Sequence, residues 1–390
     1  MTLFDPADLA TLRPWLLDHV LPLWLARIDD PHGFQEGIDA DSEPVRTNRR
    51  HVLVQARLTY VFSHAVLMRR DPAFARAAEH GYAFLTRAFQ GKRGGWYRFI
   101  DVNAAGPVTG PTRDFYDQAF VLFGLAWYGK ASGDKQAFAL ADATWDFLEK
   151  NLRDPRHGGF VEEWLPGTDP ALPRRQNPHM HLLEALLALY AATRNDVWLD
   201  RARALVGFFD AKLFDHETDS LIEFLTEDLK PVPGAKGRWR EPGHHFEWVW
   251  LLHDYHRHTG EARALDFADR LYASAARHGL ERDASMPPGV FDGMNADGSV
   301  VSDAKTLWPQ TEYLKALAAR AEFGRDPQAW SLLQDHLRAL AQHYIHPNGA
   351  NWRNQITRDG KPMQAMTPAR ILYHLFLAIA EVDRVQTMQS

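Results

Sequence analysis

Hydrophobic positions along the chain follow two alternating helical patterns. Segments such as QAFVLFGLAWY (118–128) and HLLEALLALY (181–190) are apolar nearly all round, which is typical of helices enclosed on every side. Segments such as ALADATWDFLEKNL (139–152) and SLLQDHLRALAQHY (331–344) carry charges on one face and apolar residues at helical spacing on the other. The pattern predicts buried inner helices, each followed by a half-exposed outer helix.

The helix pairs recur at a nearly constant interval. Each pair is joined by a short turn with an acidic residue, and these turns fall at Asp71, Asp134, Asp196, Glu261 and Asp326. Successive turns are 63, 62, 65 and 65 residues apart. So regular a period indicates a repeat architecture, in which each unit buries its apolar face against its neighbours.

Six inner helices are predicted, near 50–69, 115–129, 179–193, 244–258, 309–323 and 368–384. The segment 6–27 supplies a sixth outer helix, packed beside the last inner one. An open superhelix would need polar capping helices, whereas the final segment ILYHLFLAIAEV is apolar all round. We therefore predict an all-α fold, a closed (α/α)6 barrel, as a single domain over residues 1–390.

Loops at one end of the predicted barrel share a glycine followed by an aromatic residue. They cover 91–101, 156–164, 287–294 and 347–354. This pattern indicates tight turns that enter short extended segments, which we expect to line the mouth of the barrel.

Composition narrows the class of partner. The net charge of -6, without a basic run, gives no reason to expect nucleic acid or an anionic membrane, and a neutral small molecule fits better. The chain has no cysteine, and no secretory signal or spanning segment is apparent, so we expect a cytoplasmic protein. The oligomeric state, monomer or dimer, stays open.

Polar residues on the inner helices are the candidate site. Burying a charged side chain costs free energy unless it is paired, so a charge on a buried helix calls for an explanation. Four polar residues of the inner helices lie 14 or 15 positions before the acidic turn of their helix pair: Arg57, His181, Glu247 and Glu312. His244 lies one helical turn before Glu247, and His374 occupies the corresponding stretch of the sixth inner helix. Residues at equal height converge on the axis, and histidines with carboxylates in one cavity are typical of proton transfer.

Other interpretations stay open for these residues. Each could individually be a satisfied buried polar group. Metal binding has little support, because the chain has HxxE spacings but no HExxH. Glycoside hydrolysis needs a carboxylate pair, for which Glu247 with Glu312 or Asp117 would serve. Trp96, Trp308 and Trp352 are placed either to stack on a sugar or to pack in the core.

Six motifs give the chain a resemblance to a known family. They are QAR (55–57), DFYDQAF (114–120), NPHMHLLEA (177–185), EPGHHFEW (241–248), LWPQTE (307–312) and YH (373–374). Together they resemble the N-acylglucosamine 2-epimerase superfamily, whose (α/α)6 barrel agrees with the helix count. The NPHMH and PGHHFEW segments look most like those of its mannose isomerases.

The resemblance implies a role for each matching residue. His244 and His374 would be the acid and base, and Glu247 the carboxylate that orients its histidine. The substrate-binding residues would be Arg57, His181, Asn177, Glu312, Trp308 and Arg238, with Arg240 as the alternative to Arg238. No cofactor and no metal are implied.

The expected function is therefore isomerisation of D-mannose and D-fructose by proton transfer between C1 and C2 through a cis-enediolate. A sugar 2-epimerase or a sulfoquinovose isomerase is the alternative within the family. A glycoside hydrolase or a noncatalytic carbohydrate-binding barrel is the alternative of another class. Nothing in the chain resembles a phosphate cradle, so a phosphorylated sugar is less expected.

Overall fold

The computed structural model describes residues 4–102, 112–165, 167, 172–346 and 349–389. Six inner helices form a ring, and we number them in chain order: Val52–Met68, Phe115–Ser132, Gln176–Thr193, Pro242–Thr259, Leu307–Glu322 and Leu372–Gln389. Each inner helix packs against the next, and the sixth packs against the first. The ring is therefore closed, and the predicted (α/α)6 barrel is confirmed.

Five outer helices follow inner helices one to five. They span Pro72–Phe89, Lys135–Asn151, Asp196–Phe208, Ala262–His278 and Ala329–His343, the third extended by a π-helical turn over Phe209–Leu213. The acidic turn residues mark where these helices begin: Asp71 and Asp134, for example, accept hydrogen bonds from Ala73 N and Gln136 N. Such caps satisfy free N–H groups of the first turn, whereas before the third outer helix the capping side chain is Asn195 rather than the acidic Asp196.

The N-terminal segment takes the sixth outer position, against the sixth inner helix. It is not the single helix predicted over 6–27, but runs through Leu9–Thr11 (3-10), Leu12–Pro14 (α), Trp15–Val20 (π) and Leu21–Ile28 (α). Pro22 lacks the N–H that would bond the carbonyl of Asp18, so a regular helix cannot continue through this stretch. The wider π-helical turn precedes that proline.

Short antiparallel strands gather at the mouth. In most strand pairs, one strand lies just before an inner helix and the other lies in the loop that follows an outer helix. The pairs are Gly37–Asp39 with Met366–Pro368, Arg49–His51 with Phe99–Asp101, Arg113–Asp114 with Glu163–Trp164, Arg174–Arg175 with Phe224–Leu225, Phe214–Asp215 with Ser220–Leu221, and Lys305–Thr306 with Gln355–Ile356; Trp239–Arg240, Gly293–Asn295 and Val300–Ser302 form a three-stranded sheet. The N-terminal ends of the inner helices therefore open at the mouth. Of the predicted mouth loops, only 347–348 lie outside the described residues.

The core fills the space between and around the inner helices. Gly124 shows how closely they approach, since a Cβ there would lie 2.8 Å from the carbonyl oxygen of Ala56. The remaining elements are a short helix, Ala235–Arg238, and a 3-10 turn, Ala369–Ile371, before the sixth inner helix. Among the described residues no helix meets the length and apolarity needed to cross a bilayer.

Candidate functional site

A cavity of about 240 Å³ opens at the mouth, between the N-terminal ends of the inner helices. It is lined by Leu53, Arg57, Tyr116, Asn177, His181, Glu241, His244, Glu247, Trp308, Arg370, Ile371 and His374. A larger cavity of about 540 Å³ lies beside Arg153 and Trp164, but none of the described residues that line it is a histidine. The smaller cavity is the candidate site because the titratable groups converge there.

His244 is held by a carboxylate that the sequence did not reveal. Its Nδ1 lies 2.9 Å from Glu223 Oε2, and Glu223 also accepts hydrogen bonds from Gln176 Nε2 and the Glu241 N–H. Burial alone would lower the pKa of His244, but the charges of Glu223 and Glu241 outweigh burial and raise the pKa to about 10. His244 is therefore an imidazolium at neutral pH.

His374 is held in the same manner but in the opposite electrostatic environment. Its Nδ1 lies 2.7 Å from Glu312 Oε1. Burial and the positive charges of Arg57 and Lys315 lower the pKa of His374 well below its usual value. His374 is therefore a neutral imidazole at neutral pH, and the cavity holds one acidic and one basic histidine.

Two of the predicted carboxylate positions need correction. Glu247 does not orient His244, because Glu223 occupies that position; Glu247 lines the cavity with neither carboxylate oxygen hydrogen bonded to a described residue. Glu312 does not lie in the sugar pocket. It is fully buried behind His374, which it contacts from below.

His181 and Arg57 line the cavity beside the two histidines. His181 Nδ1 lies 2.9 Å from Glu184 Oε2, and burial lowers the pKa of His181 to about 3. Arg57 donates to Tyr116 Oη at 2.7 Å and to the carbonyl oxygen of Arg370 at 3.0 Å, and its Nε has no hydrogen-bond partner among the described residues. A neutral imidazole and a fixed guanidinium are thus available to substrate oxygens.

The remaining predicted binding residues divide between the cavity and its surroundings. Asn177 and Trp308 line the cavity, and Asn177 Oδ1 is buried without a partner among the described residues. Arg238 does not reach the cavity: it is exposed on the short helix Ala235–Arg238. The alternative, Arg240, is buried in an ion pair with Asp215. Neither Arg238 nor Arg240 therefore lines the cavity, where one of them was predicted to bind the substrate.

Two of the three mouth tryptophans are core residues. Trp96 donates its indole N–H to Thr144, and Trp352 stacks on Trp24 with ring centroids 4.6 Å apart. Trp308 alone of the three faces the cavity, with its ring centroid 5.0 Å from that of His244 and 5.8 Å from that of His374. It therefore lies beside both histidines.

Several site residues escaped the sequence reasoning: Glu223, Tyr116, Glu241, Lys315 and Arg370. Glu223, a single carboxylate within SLIEFL, could have been noticed as a charge in an apolar stretch. Lys315 gave the same signal as the predicted residues, a charge on an inner helix, and Tyr116 and Glu241 lie inside the motifs DFYDQAF and EPGHHFEW without having been singled out. Arg370 gave no comparable signal.

Two groups of described residues bring three potential metal ligands within 4.8 Å of one another: Glu223, Glu241 and His244, and Glu247, Glu312 and His374. In both groups the histidine Nδ1 is already hydrogen bonded to a carboxylate. In the second group, Lys315 Nζ lies 2.6 Å from Glu312 Oε2, and its positive charge repels a cation. The geometry favours internal hydrogen bonds and ion pairs at both places.

The chain is similar to several known proteins. The chain is 34% identical to the mannose-6-phosphate isomerase of Rhizobium meliloti, over 95% of this chain and 96% of that protein. It is 26% identical to the D-mannose isomerase of Marinomonas mediterranea, over 86% of this chain and 89% of that protein. The solved structure of cellobiose 2-epimerase from Spirochaeta thermophila superposes with a TM-score of 0.85 at 27% identity, covering 98% and 97% of the two chains.

These relatives are all sugar isomerases or epimerases, and the chain is an enzyme of this class. The family model described as N-acylglucosamine 2-epimerase matches residues 33–378. The match spans all six inner helices as far as residue 378, and with them every residue that lines the cavity. The chain belongs to the N-acylglucosamine 2-epimerase family.

Proposed function

We propose that this protein is an aldose–ketose isomerase that interconverts D-mannose and D-fructose, with the whole chain, residues 1–390, as one catalytic domain. The observation that carries the proposal is the pair of histidines in one cavity with opposite pKa shifts. Environments that push two pKa values apart assign one group as acid and the other as base. His244 is the acid and His374 the base.

Catalysis begins with the opening of the sugar ring. The His244 imidazolium donates its proton to the ring oxygen, and the anomeric hydroxyl gives up its own proton, which restores the imidazolium. The product is the open-chain aldehyde with the carbonyl at C1.

Proton transfer then moves the carbonyl to C2. His374 removes the C2 proton while His244 protonates O1, which gives the enediol. Neutral His244 next accepts the O2 proton, and protonated His374 returns its proton to C1, so fructose forms and both histidines regain their starting states. Return of the proton to the opposite face of C2 would instead give glucose, which is the 2-epimerase outcome.

Other cavity residues hold the substrate during these steps. Arg57, whose guanidinium is fixed by Tyr116, and His181 face the oxygens on which negative charge develops. Asn177 and Glu247 offer sugar hydroxyls side-chain oxygens that are not hydrogen bonded to any described residue. Trp308 supplies a flat apolar face for the sugar. These groups suffice for acid–base chemistry without a cofactor.

The size and charge of the cavity favour a free monosaccharide. At about 240 Å³ it is smaller than the roughly 300–1,000 Å³ of drug-sized ligand pockets. Arg57 already donates to Tyr116 and to a backbone carbonyl, so few of its N–H groups remain for a phosphate.

Mannose 6-phosphate is the second candidate substrate, favoured by two observations. The relative at 34% identity is named for that substrate. In addition, Arg370 is exposed at the rim of the cavity, where its guanidinium forms no ion pair with a described residue and is available to an anionic group.

Proton NMR in deuterated water tests the proposal. Purified protein is incubated with mannose and, separately, with mannose 6-phosphate, each with and without EDTA. Fructose formed from mannose at the higher kcat/KM, with EDTA present, supports the proposal. A higher kcat/KM for mannose 6-phosphate establishes the second candidate, and glucose as the product establishes an epimerase. If no product forms and no deuterium enters at C2, both sugars are ruled out as substrates.

A further inference from the structure

Lys315 lies beneath the cavity on the fifth inner helix, one helical turn after Glu312. Its side chain is fully buried and does not line the cavity. Its Nζ lies 2.6 Å from Glu312 Oε2 and 3.9 Å from Glu247 Oε1. The short contact is an ion pair rather than an aligned hydrogen bond. Lys315 touches no substrate, so any role in the reaction passes through these carboxylates.

The ammonium of Lys315 is charged although it is buried. Burial lowers the pKa of Lys315, but the charges of Glu312, Glu247 and Glu184 outweigh burial and hold the pKa above its usual value. Its stem also places Nζ 4.1 Å from the centroid of the Trp250 ring, a favourable cation–π contact. A buried lysine without such partners would lose its proton.

Glu312 connects this ammonium to His374. One carboxylate oxygen faces Lys315 and the other lies 2.7 Å from His374 Nδ1. Burial and the charge of Glu247 raise the pKa of Glu312 well above its usual value, and Lys315 is the neighbouring charge that most strongly opposes this rise. Loss of Lys315 would therefore favour the protonated form of Glu312 further.

The protonation of Glu312 decides which nitrogen of His374 carries the hydrogen. An ionised Glu312 can only accept, so Nδ1 carries the hydrogen and the lone pair of Nε2 faces the cavity as a base. A protonated Glu312 donates to Nδ1, so the hydrogen moves to Nε2 and the base is lost. Outer contacts fix histidine tautomers in the same manner at metal sites.

We infer that Lys315 is a positioning residue for this reaction: its ammonium, 2.6 Å from Glu312 Oε2, favours the carboxylate form of Glu312, and that form holds His374 in the tautomer that accepts the C2 proton. The inference rests on the proposed function for its effect on rate, but not for its effect on the tautomer. Other titratable and charged groups face Lys315, Glu312 and His374 from the remaining inner helices or lie beside His374. They are Arg57, His181, Glu184, His244, Glu247 and Tyr373. Each is retained in the variants below.

The test compares Lys315→Met with Glu312→Gln. At pH 7 we expect Lys315→Met to lose kcat by roughly 10²–10⁴-fold, the contribution of a general base. Its rate should be less reduced at pH 9 than at pH 7, because a higher pH favours the carboxylate form of Glu312. Glu312→Gln cannot ionise, so its rate should stay low, while the wild-type rate stays level because the pKa of His244 is about 10.

Lys305→Met is the matched control, because Lys305 is equally buried and ion-paired to Glu281 but lies outside the cavity. It should lower the melting temperature without changing the pH profile. A folded Lys315→Met variant with a wild-type rate, or with a loss that is the same at pH 7 and pH 9, would overturn the inference.

Nitrogen-15 NMR of histidine-labelled protein reads the tautomer without any substrate. We expect hydrogen on Nδ1 of His374 in the wild type and on Nε2 in Lys315→Met at pH 7, with His374→Gln used to assign the signals. Hydrogen on Nε2 in the wild type would refute the inference even if the variant did not fold. If the wild type is inactive on both sugars but the tautomer still differs between wild type and Lys315→Met, the proposed function is refuted and the role of Lys315 is not.

Discussion

The two histidine–glutamate pairs of the cavity have nearly the same local geometry but opposite proton affinities. His244 Nδ1 lies 2.9 Å from Glu223, and His374 Nδ1 lies 2.7 Å from Glu312. Both histidines are buried, yet the pKa of His244 is raised and that of His374 is lowered. The carboxylate partner therefore does not by itself set the charge of a histidine.

The difference comes from the sum of the charges around each ring. His244 is surrounded by Glu223, Glu241 and Glu247, which together favour the imidazolium. Burial lowers the pKa of His374, and the positive charges of Arg57 and Lys315 lower it further. A single cavity can thus hold an acid and a base of the same residue type at one pH.

The largest effect is expected from removal of either ring. His244→Ala and His374→Ala should each lower kcat by roughly 10²–10⁴-fold with little change in melting temperature, because each loses a proton-transfer group. Steady-state kinetics and thermal melts check this. His179→Ala is the control: it removes a buried histidine that accepts from the Phe160 N–H and donates to the carbonyl oxygen of Arg175, outside the cavity, so stability should fall while kcat is retained.

Glu223→Gln should change the pKa of His244 but not that of His374. Loss of the charge that contributes most to the raised pKa of His244 should lower that pKa from about 10 toward neutrality. The rate needs protonated His244, so the alkaline limb of the pH profile should move to lower pH while the acidic limb, set by His374, stays in place. A pH–rate profile of kcat with both limbs unmoved would contradict the assignment of His244 as the acid.

The lowered pKa of His374 should affect how the stability of the fold depends on pH. Its pKa in the folded protein lies below the ordinary value of 6.5, so the unfolded chain binds a proton first as the pH falls. This group therefore destabilises the fold below pH 6.5, by roughly 1.4 kcal/mol for each pH unit until the folded pKa is reached. His374→Asn should remove that part of the acid sensitivity. Thermal melts of both proteins at pH 7 and pH 5 measure it, and an equal loss in each would contradict the lowered pKa.

The smallest effect is expected from the ring between the two histidines. Trp308→Phe keeps an aromatic face but reduces its area, and aromatic contacts are worth about 0.5–1.5 kcal/mol. KM for the sugar should therefore rise several-fold, while both limbs of the pH profile stay in place. A shifted limb would mean that Trp308 acts on the histidines rather than on the substrate.

Much of the site was accessible from the sequence because the repeat fixes height along the barrel. Arg57, His181, His244 and His374 were placed on inner helices at one level, and all four line the cavity. Arg238 was misplaced because its position depends on how a mouth loop folds, and loops carry no comparable period. Likewise, Trp96 and Trp352 follow the same glycine–aromatic pattern that suggested sugar stacking, but they pack in the core.

The sequence by itself determined the class of fold, the closed count of six inner helices and the set of helical residues that share the cavity. These follow from hydrophobic periodicity and repeat spacing, which are local properties of the chain. Only the tertiary structure decided that Glu223 holds His244, that Glu312 holds His374 and that Lys315 lies beneath them. These contacts join residues on different elements, and the sign of a pKa shift depends on the sum of charges within a few ångströms, which the sequence order does not contain.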